Sequence, residues 1–295
     1  MLKMCFRGKR LTELTPAAVE QYRAWRKQTI SQRGHPAMPA TINRELACLK
    51  RMFNVARKGL RALKGGVPTI NPMAMVSLER ERNERDRVLS GEEFERVYQA
   101  AVPWLRPIML GAYATGMRAG EIRSLRWDQV DLKWGAIRLK STDTKTDGGR
   151  LIPLNQALTT TLKTATRYVS CPWVFVNPAT LERWQANPEQ ADPRYHATSI
   201  THAFERACRK AGVSNATFHD LRHTFVTNAR RAGIDYFRIM AITGHKTMAV
   251  FKRYNTVDAW DLRQAMWQMD TYMDTTKETG PEATAQAGEN AGMGR

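Results

Sequence analysis

The sequence has no run that approaches the roughly 18 apolar residues of a membrane span, and its first ten residues, MLKMCFRGKR, are too polar for a secretory signal. Its four cysteines, Cys5, Cys48, Cys171 and Cys208, form no C-x-x-C pair, so neither a disulfide framework nor a cysteine zinc site is indicated. Acidic residues are also scarce, with 28 Asp and Glu against 46 Lys and Arg. These absences predict a cytoplasmic protein with reduced cysteines and no membrane-spanning segment.

The excess of basic residues predicts a polyanionic partner. The net charge is +18, and the first 90 residues alone hold 19 basic and 7 acidic side chains. Charge by itself fits DNA, RNA or a lipid surface equally well, so it leaves the identity of the polyanion open.

The length allows one large domain or two ordinary ones. The segment from Glu79 to Arg87 is highly charged and has no apolar anchor, which predicts a boundary there. We therefore expect a first domain over 1–80, a linker over 81–87 and a second domain over 88–272. Residues 273–295 lack aromatic side chains and predict a disordered tail.

Two amphipathic helices are predicted in the first domain. Thr15 and Pro16 are typical of a helix start, and the run to about Gln32 places Val19, Tyr22 and Trp25 on one face. From Pro39 to Lys58, apolar residues recur at helical spacing: Ile42, Leu46, Leu49 and Phe53. Basic residues occupy mostly other faces, where we predict contacts with phosphates rather than a merely solvated surface: Arg44, Lys50, Arg51, Arg57 and Lys58.

The second domain is predicted to be mainly helical with a small β-sheet. Ser90 followed by Glu93 predicts a capping box at its first helix. Segments 135–140 and 150–154 predict two strands of a hairpin, because the turn residues Asp147-Gly148-Gly149 separate them. A further short strand is predicted at 174–176, and residues 177–198, with three prolines, predict a long loop.

Several side chains suited to phosphate chemistry lie in the second domain. Arg118 lies between two glycines, and Glu121 three residues later either fixes its guanidinium or pairs at the surface. His219 and Arg222 are three residues apart, so on a helix they lie on one face and can converge on one anionic group. Tyr254 follows His245 by nine residues.

Taken together, these motifs closely resemble those of the tyrosine recombinase, or phage integrase, family. The resemblance covers essentially residues 11–272. It rests on ATGMRAGEIRSLRWDQVDL around Arg118, TKTDGGRLIPL around Lys145, HDLRHTF from His219, and ITGHKTMAVFKRYN, which contains Tyr254.

This resemblance implies a helical (SAM-like) core-binding domain followed by an α+β catalytic domain. It implies a site-specific recombinase that cuts and rejoins DNA through a 3′-phosphotyrosyl intermediate, for integration or excision of a phage or other mobile element. Tyr254 would be the nucleophile, Arg118 and Arg222 the phosphate clamp, and Lys145 the general acid. His219 and His245 would be a supporting acid/base pair, and Glu121 would support Arg118.

The chemistry of strand exchange explains these residue types. A covalent phosphotyrosine conserves bond energy, two arginines can hold the non-bridging oxygens in bidentate fashion, and a lysine can protonate the departing 5′-oxygen. Neither a metal nor another cofactor nor ATP is implied. The family resemblance further implies a tetramer on two double-stranded DNA sites, accessory DNA-bending or directionality proteins, and a place beside the nucleoid.

Other interpretations remain open at the level of sequence. A catalytically impaired DNA-binding remnant is the main alternative, because the core-binding segment looks N-terminally truncated. A topoisomerase with the same tyrosine chemistry and a metal-dependent nuclease are more distant. The spacing of His219 and His223, with His245 as a third ligand, is zinc-like, but it leaves the arginines unexplained. Thr243 stands where many family members have leucine, and we expect it to be a packing position.

Overall fold

The computed structural model describes residues 1–30, 34–59, 71–81, 87–143, 148–251 and 259–278. It divides into two compact units, Met1–Glu84 and Arg85–Arg295, each of which is described by itself. Most of the described chain is helical and one small three-stranded sheet is present, which confirms the predicted fold class. Among the described residues, no helix combines the length and apolar character that crossing a membrane requires.

The described part of the first unit contains α1 (Leu2–Cys5), α2 (Pro16–Gln28) and α3 (Pro39–Gly59). Helix α2 starts at the predicted residue, because the Thr15 hydroxyl accepts a hydrogen bond from the Ala18 amide and Pro16 fits the first helical position. The predicted apolar face of α3 is buried at all four positions: Ile42, Leu46, Leu49 and Phe53.

The buried face of α2 departs from the prediction at one position. Val19 and Tyr22 are fully buried, but Trp25 is 38% exposed. Arg26 is buried instead, because its charge is compensated there: Arg26 Nε lies 3.0 Å from Glu45 Oε2, and the Tyr22 hydroxyl donates to the same carboxylate. Helix α2 also ends earlier than predicted, since Thr29 adopts an extended conformation after Gln28.

The start of the predicted linker region is anchored to the first unit. The Asn43 amide group donates to the carbonyl oxygen of Glu79 and to Glu81 Oε1, and Asn43 Oδ1 accepts from the Glu79 amide. Lys27 Nζ lies 2.7 Å from Glu79 Oε1, and this hydrogen bond lowers the pKa of the Glu79 carboxyl. Polar contacts thus hold Glu79 and Glu81 against the first unit. The sequence prediction considered only the lack of apolar residues and did not reveal these contacts. Residues 82–86 lie outside the described residues.

Helices α4–α13 belong to the second unit. They are α4 (Gly91–Ala100), α5 (Leu105–Thr115), α6 (Ala119–Arg123), α7 (Gln156–Thr164), α8 (Pro178–Ala186), α9 (Ala197–Lys210), α10 (Asp220–Arg231), α11 (Tyr236–Thr243), α12 (Met248–Phe251) and α13 (Ala259–Glu278). The capping box predicted before α4 is present, since Ser90 Oγ accepts from the Glu93 amide and Glu93 Oε2 accepts from the Ser90 amide. The main core is formed by apolar side chains that include Leu105, Ile108, Phe204 and Leu221.

The sheet is antiparallel, in the order β1 (Val130–Asp131), β2 (Ala136–Leu139), β3 (Arg150–Pro153). Strands β2 and β3 are the predicted hairpin, with Ile137 opposite Ile152. The further strand predicted at 174–176 is wrong. The Val174 amide bonds to the Leu125 carbonyl while Val176 forms an isolated bridge with Arg194, so this segment passes between two partners and builds no continuous ladder.

Two other predictions for the second unit are corrected. Residues 177–198 contain α8 and the start of α9 rather than a long loop. Here Asn177 caps α8 and Pro178 occupies its first position, so a proline taken as a loop residue begins a helix. Residues 273–278 continue α13 instead of starting a disordered tail, because extending a formed helix costs little. Residues 279–295 lie outside the described residues.

Candidate active site

Arg118 is held in place by the first turn of α6. It is the N-terminal cap of this helix in an extended conformation, and its amide donates to Glu121 Oε2 at 2.8 Å. Its guanidinium Nη1 also donates to Glu121 Oε1 at 3.0 Å, while the Arg118 side chain remains 26% exposed. Of the two interpretations left open by the sequence, the structure therefore favours Glu121 fixing the guanidinium.

Glu121 is shared with a second arginine that the sequence interpretation missed. Arg150, at the start of β3, donates from Nη2 to Glu121 Oε2 at 2.6 Å and from Nη1 to Glu121 Oε1 at 3.2 Å, and both side chains are 5% exposed. Burial by itself would raise the pKa of the Glu121 carboxyl. The hydrogen bond and charge of Arg150, helped by Arg118, outweigh burial and hold that pKa below its ordinary value.

Arg150 also reaches the segment that carries His245. Its Nε donates to the carbonyl oxygen of Ile242 at 2.8 Å. Gly244 follows with a φ of +72°, and a Cβ there would lie 2.8 Å from Arg150 Nη1. Glycine is therefore required both by the backbone conformation and by the guanidinium. A charged residue opening a strand of otherwise apolar residues, RLIPL, was the available indication that Arg150 is buried in a polar network.

Arg222 lies on α10 and is 1% exposed. Its Nη1 donates to the carbonyl oxygen of Gly116, two residues before Arg118, and its Nη2 lies 2.8 Å from His245 Nε2. Gly116 ends α5 with a φ of +63°, and a Cβ there would lie 2.5 Å from the Phe225 ring. The glycine before Arg118 thus allows a helix end to pack closely on α10, which is a more specific role than relieving crowding around the arginine.

His245 is buried at the centre of these contacts. Its Nε2 faces Arg222, and its Nδ1 lies 2.8 Å from the hydroxyl oxygen of Thr243. Burial first, and then the positive charges of Arg222, Arg118 and Arg150, lower the pKa of His245 to about 3. The imidazole is therefore neutral near pH 7. Thr243 was expected only to pack, whereas its hydroxyl contacts the histidine directly.

The other two histidines of the zinc-like spacing have different surroundings. His219 immediately precedes α10 and is exposed, whereas His223 is buried with its ring 5.5 Å from that of His219. The sequence placed His219 and Arg222 on one face, but the first is exposed and the second is in the interior. Both ring nitrogens of His245 are engaged by Thr243 and Arg222, so the ring is not presented as a third metal ligand.

Lys145 and Tyr254 lie outside the described residues. Strands β2 and β3, on either side of Lys145 in the sequence, are described, and β3 begins with Arg150. Phe251, three residues before Tyr254, is fully buried with its ring 5.5 Å from that of His245. The chain segments adjacent to both residues in sequence are therefore tied to the arginine and histidine cluster.

The basic residues predicted on α3 belong to the first unit. Arg44, Lys50, Arg51 and Arg57 are exposed there, and the side chain of Lys58 lies outside the described residues. Their exposure leaves them available to a polyanion, in line with the predicted phosphate contacts.

The fold and the site define a class of mainly helical protein. In it, arginines from the first turn of α6, from a β-hairpin and from α10 surround a buried histidine, and those of the hairpin and α10 are themselves buried. The model of the phage integrase family matches residues 87–260, and the chain belongs to this family.

The chain is also similar to curated relatives, and two solved structures share its fold. The chain is 29% identical to the shufflon-specific DNA recombinase of Escherichia coli over 257 residues, which cover 85% of this chain and 60% of that protein. A lambda integrase dimer bound to a COC′ core site has a TM-score of 0.65 at 18% identity, covering 88% of each chain. A lambda integrase tetramer bound to a Holliday junction has a TM-score of 0.58 at 20% identity, covering 80% of this chain and 65% of that one. The chain spans 60% of the length of the first curated relatives that it matches.

Proposed function

We propose that this protein is a site-specific DNA recombinase that cuts and rejoins strands through a 3′-phosphotyrosyl intermediate, in the integration or excision of a mobile element. The observation that carries the proposal is that Arg118 and Arg222 both act on His245: Arg222 donates to its Nε2, and the positive charges of both arginines lower its pKa. Arg222 also bonds to the carbonyl oxygen of Gly116, two residues before Arg118, although the two segments are 106 residues apart in sequence. Two guanidiniums that act on one site suit the non-bridging oxygens of a phosphodiester.

The cluster gathers three arginines, which suits an anionic ligand. Arg118 and Arg150 donate to the carboxylate of Glu121, and Arg222 donates to the Gly116 carbonyl and to His245. Attack on a phosphodiester adds negative charge to its oxygens, and fixed positive charge in a water-poor site stabilises that charge strongly.

The remaining catalytic roles are assigned through the family motifs. Tyr254 is the nucleophile; its free pKa of about 10 means that it needs a positive environment to ionise near pH 7. Lys145 protonates the departing 5′-oxygen. His219 and His245 support them, and because the pKa of His245 is lowered to about 3, His245 acts as a neutral hydrogen-bond acceptor rather than as a proton donor. No metal or other cofactor enters these steps.

Access to the two arginines differs. Arg118 is partly exposed, whereas Arg222 is 1% exposed in the DNA-free chain. A phosphate would therefore meet Arg118 first and reach Arg222 only after the site opens on DNA binding. In this proposal DNA binding and assembly of the catalytic site are coupled.

The first unit is proposed to bind the same DNA through α3, as a core-binding domain over residues 1–80 ahead of a catalytic domain over 88–272. The exposed basic side chains of α3 and the net charge of +18 support this division. We further propose a tetramer on two DNA sites, as in the lambda integrase tetramer bound to a Holliday junction, together with accessory proteins and a place at the nucleoid.

Trapping of covalent adducts tests the proposal with no need to choose a target sequence beforehand. The full chain is incubated in EDTA with duplexes that carry a nicked random-sequence segment, the mixture is denatured, and protein-linked DNA is sequenced. Enrichment of one sequence in adducts that disappear in Tyr254→Phe would support a recombinase. Arg118→Gln should slow adduct formation by about 100-fold or more.

The same experiment separates the alternatives. DNA binding with no adduct would indicate a catalytically impaired remnant, and adducts without sequence enrichment, together with relaxation of any supercoiled plasmid, would indicate a topoisomerase. In a parallel incubation with Mg²⁺ in place of EDTA, cleavage that occurs only with the metal would indicate a metal-dependent nuclease and would contradict the proposal.

A further inference from the structure

The hydrogen bonds around His245 determine which of its ring nitrogens carries the hydrogen. The Nη2 group of Arg222 can only donate, so His245 Nε2, 2.8 Å away, must accept through its lone pair. In a neutral ring the hydrogen then lies on Nδ1, which faces the Thr243 hydroxyl oxygen at 2.8 Å.

The Thr243 hydroxyl has the matching polarity. It donates its own hydrogen to the carbonyl oxygen of Ile239 at 2.7 Å, one turn earlier in α11, so its oxygen is left to accept from His245 Nδ1–H. A single chain of donors therefore runs from Arg222 to His245, from His245 to Thr243 and from Thr243 to Ile239. The opposite tautomer would set two donors against each other at Nε2.

We propose that Thr243 is a positioning residue that holds His245 in the Nδ1–H tautomer, so that His245 Nε2 accepts from Arg222 and fixes the guanidinium. Its importance for catalysis rests on the proposed function, in which Arg222 binds the phosphate. Thr243 and His245 are both buried, so water does not readily replace a lost partner. The hydroxyl, rather than the volume of the side chain, is what this role requires.

The tautomer can be measured on the free, full-length protein. The chain contains six histidines, so ¹⁵N-histidine spectra are simple, and loss of one ring in His245→Gln assigns His245. Long-range ¹H–¹⁵N correlation then reports which nitrogen is protonated. We expect Nδ1–H in the wild type and in Thr243→Ser. In Thr243→Val, which keeps the shape but removes the hydroxyl, the Nδ1–H group loses its acceptor, so the tautomer preference should weaken although Arg222 still favours an accepting Nε2.

Thr115→Val is a matched control. Thr115 also ends a helix before a glycine of positive φ, is buried, and donates to the carbonyl four residues earlier, on Gly111. Its replacement removes hydrogen bonds to the Gly111 carbonyl and from the Met117 amide but none to the His245 ring, so the Nδ1–H tautomer of His245 should remain. An Nε2–H tautomer in the wild type, or an unchanged Nδ1–H tautomer in Thr243→Val, would overturn the proposal. If Thr243→Val folds poorly, the tautomer measured in the wild type still tests the proposal.

Adduct kinetics on the selected nicked duplex provide the functional measurement. Thr243→Val should slow adduct formation by about tenfold, the scale of one buried hydrogen bond, while Thr243→Ser restores it. Equal rates in valine and wild type would contradict the link from Thr243 to Arg222. If the wild type forms no adduct at all, the proposed function fails, while the tautomer spectra still decide the arrangement of Thr243 and His245.

Discussion

Arg150 and Glu121 form a two-bonded ion pair that is almost fully buried and that joins β3 to the turn carrying Arg118. Breaking such a pair leaves a charge without its partner in the interior. Arg150→Met should therefore reduce the free energy of unfolding by about 3–5 kcal/mol, measured by urea denaturation. Arg138→Met is the matched control, because Arg138 lies on the neighbouring strand and its contact with Asp131 is long, at 3.9 Å, and exposed.

The control should cost less than about 1 kcal/mol. If Arg150→Met costs no more than Arg138→Met, the Arg150–Glu121 pair does not stabilise the site in the way that its burial implies. Arg150→Lys would keep the charge but lose the two-bonded geometry. Its free energy of unfolding should therefore lie between those of the wild type and Arg150→Met.

Gly244 allows a second comparison between matched positions. Gly244 and Gly212 both have positive φ, of +72° and +66°, so alanine should cost about 1–2 kcal/mol of backbone strain at either position. A Cβ at Gly244 would also displace the Arg150 guanidinium, whereas a Cβ at Gly212 would meet nothing within 4 Å. Gly244→Ala should therefore be the more destabilising in thermal or urea unfolding and should also shift the His245 signals. Equal destabilisation by Gly244→Ala and Gly212→Ala would show that the Arg150 guanidinium moves aside for the added Cβ without a loss of stability.

The sequence predicted what depends on local pattern. The start of α2 at Pro16, the capping box at Ser90 and the β2–β3 hairpin follow from residues only a few positions apart, so periodicity and turn residues were sufficient. One error, over residues 177–198, overlooked a local signal, the Asn177-Pro178 start of α8. Another arose where a contact distant in the chain decides. Arg26 is buried because Glu45 lies on another helix, and nothing near Arg26 in the sequence reveals it.

The same limit applies to the candidate site. The motifs supplied Arg118, Glu121, Arg222 and His245, and the structure brings these four together. Arg150 acts through partners that only the folded chain makes neighbours, such as Ile242, which is 92 residues away in sequence. Thr243 has partners close in sequence, Ile239 and His245, yet its role was also missed. A threonine next to a Gly-His pair is indistinguishable in sequence from a packing residue, since its hydroxyl gains a role only from the orientation of the histidine ring.

Because the buried His245 ring is neutral, we expect the free energy of unfolding to depend on pH. Its pKa is about 3 in the folded chain and about 6.5 when unfolded, so between these values only the unfolded chain binds the proton. The free energy of unfolding should therefore rise with pH from 5 to 6.5, with His245 contributing up to about 1.4 kcal/mol per pH unit. The pKa of Glu121 is also lowered by folding, so Glu121 likewise makes the free energy of unfolding rise with pH. Its contribution falls mainly below pH 5, near and below the ordinary pKa of a glutamate.

Urea unfolding at several pH values checks this prediction, with His245→Gln as the comparison. The variant should have a smaller slope between pH 5 and 6.5. Protonation of the His245 ring above pH 5 in ¹⁵N spectra, or an equal slope in the variant, would contradict the burial of a neutral imidazole beside the arginines.

The exposed basic side chains of α3 lead to a prediction about salt. If Arg44 and Lys50 each neutralise a phosphate, replacing either with glutamine should lower the slope of log affinity against log salt by about 0.9 on duplex DNA. Met52→Gln is the control, since Met52 is exposed on the same helix and the change alters the surface without altering charge. Fluorescence anisotropy at a series of salt concentrations measures the slopes. Each lost phosphate contact must release fewer counterions on binding. A slope that stays at the wild-type value in both charge variants would therefore remove Arg44 and Lys50 from the DNA interface and assign the electrostatic contribution to other basic side chains.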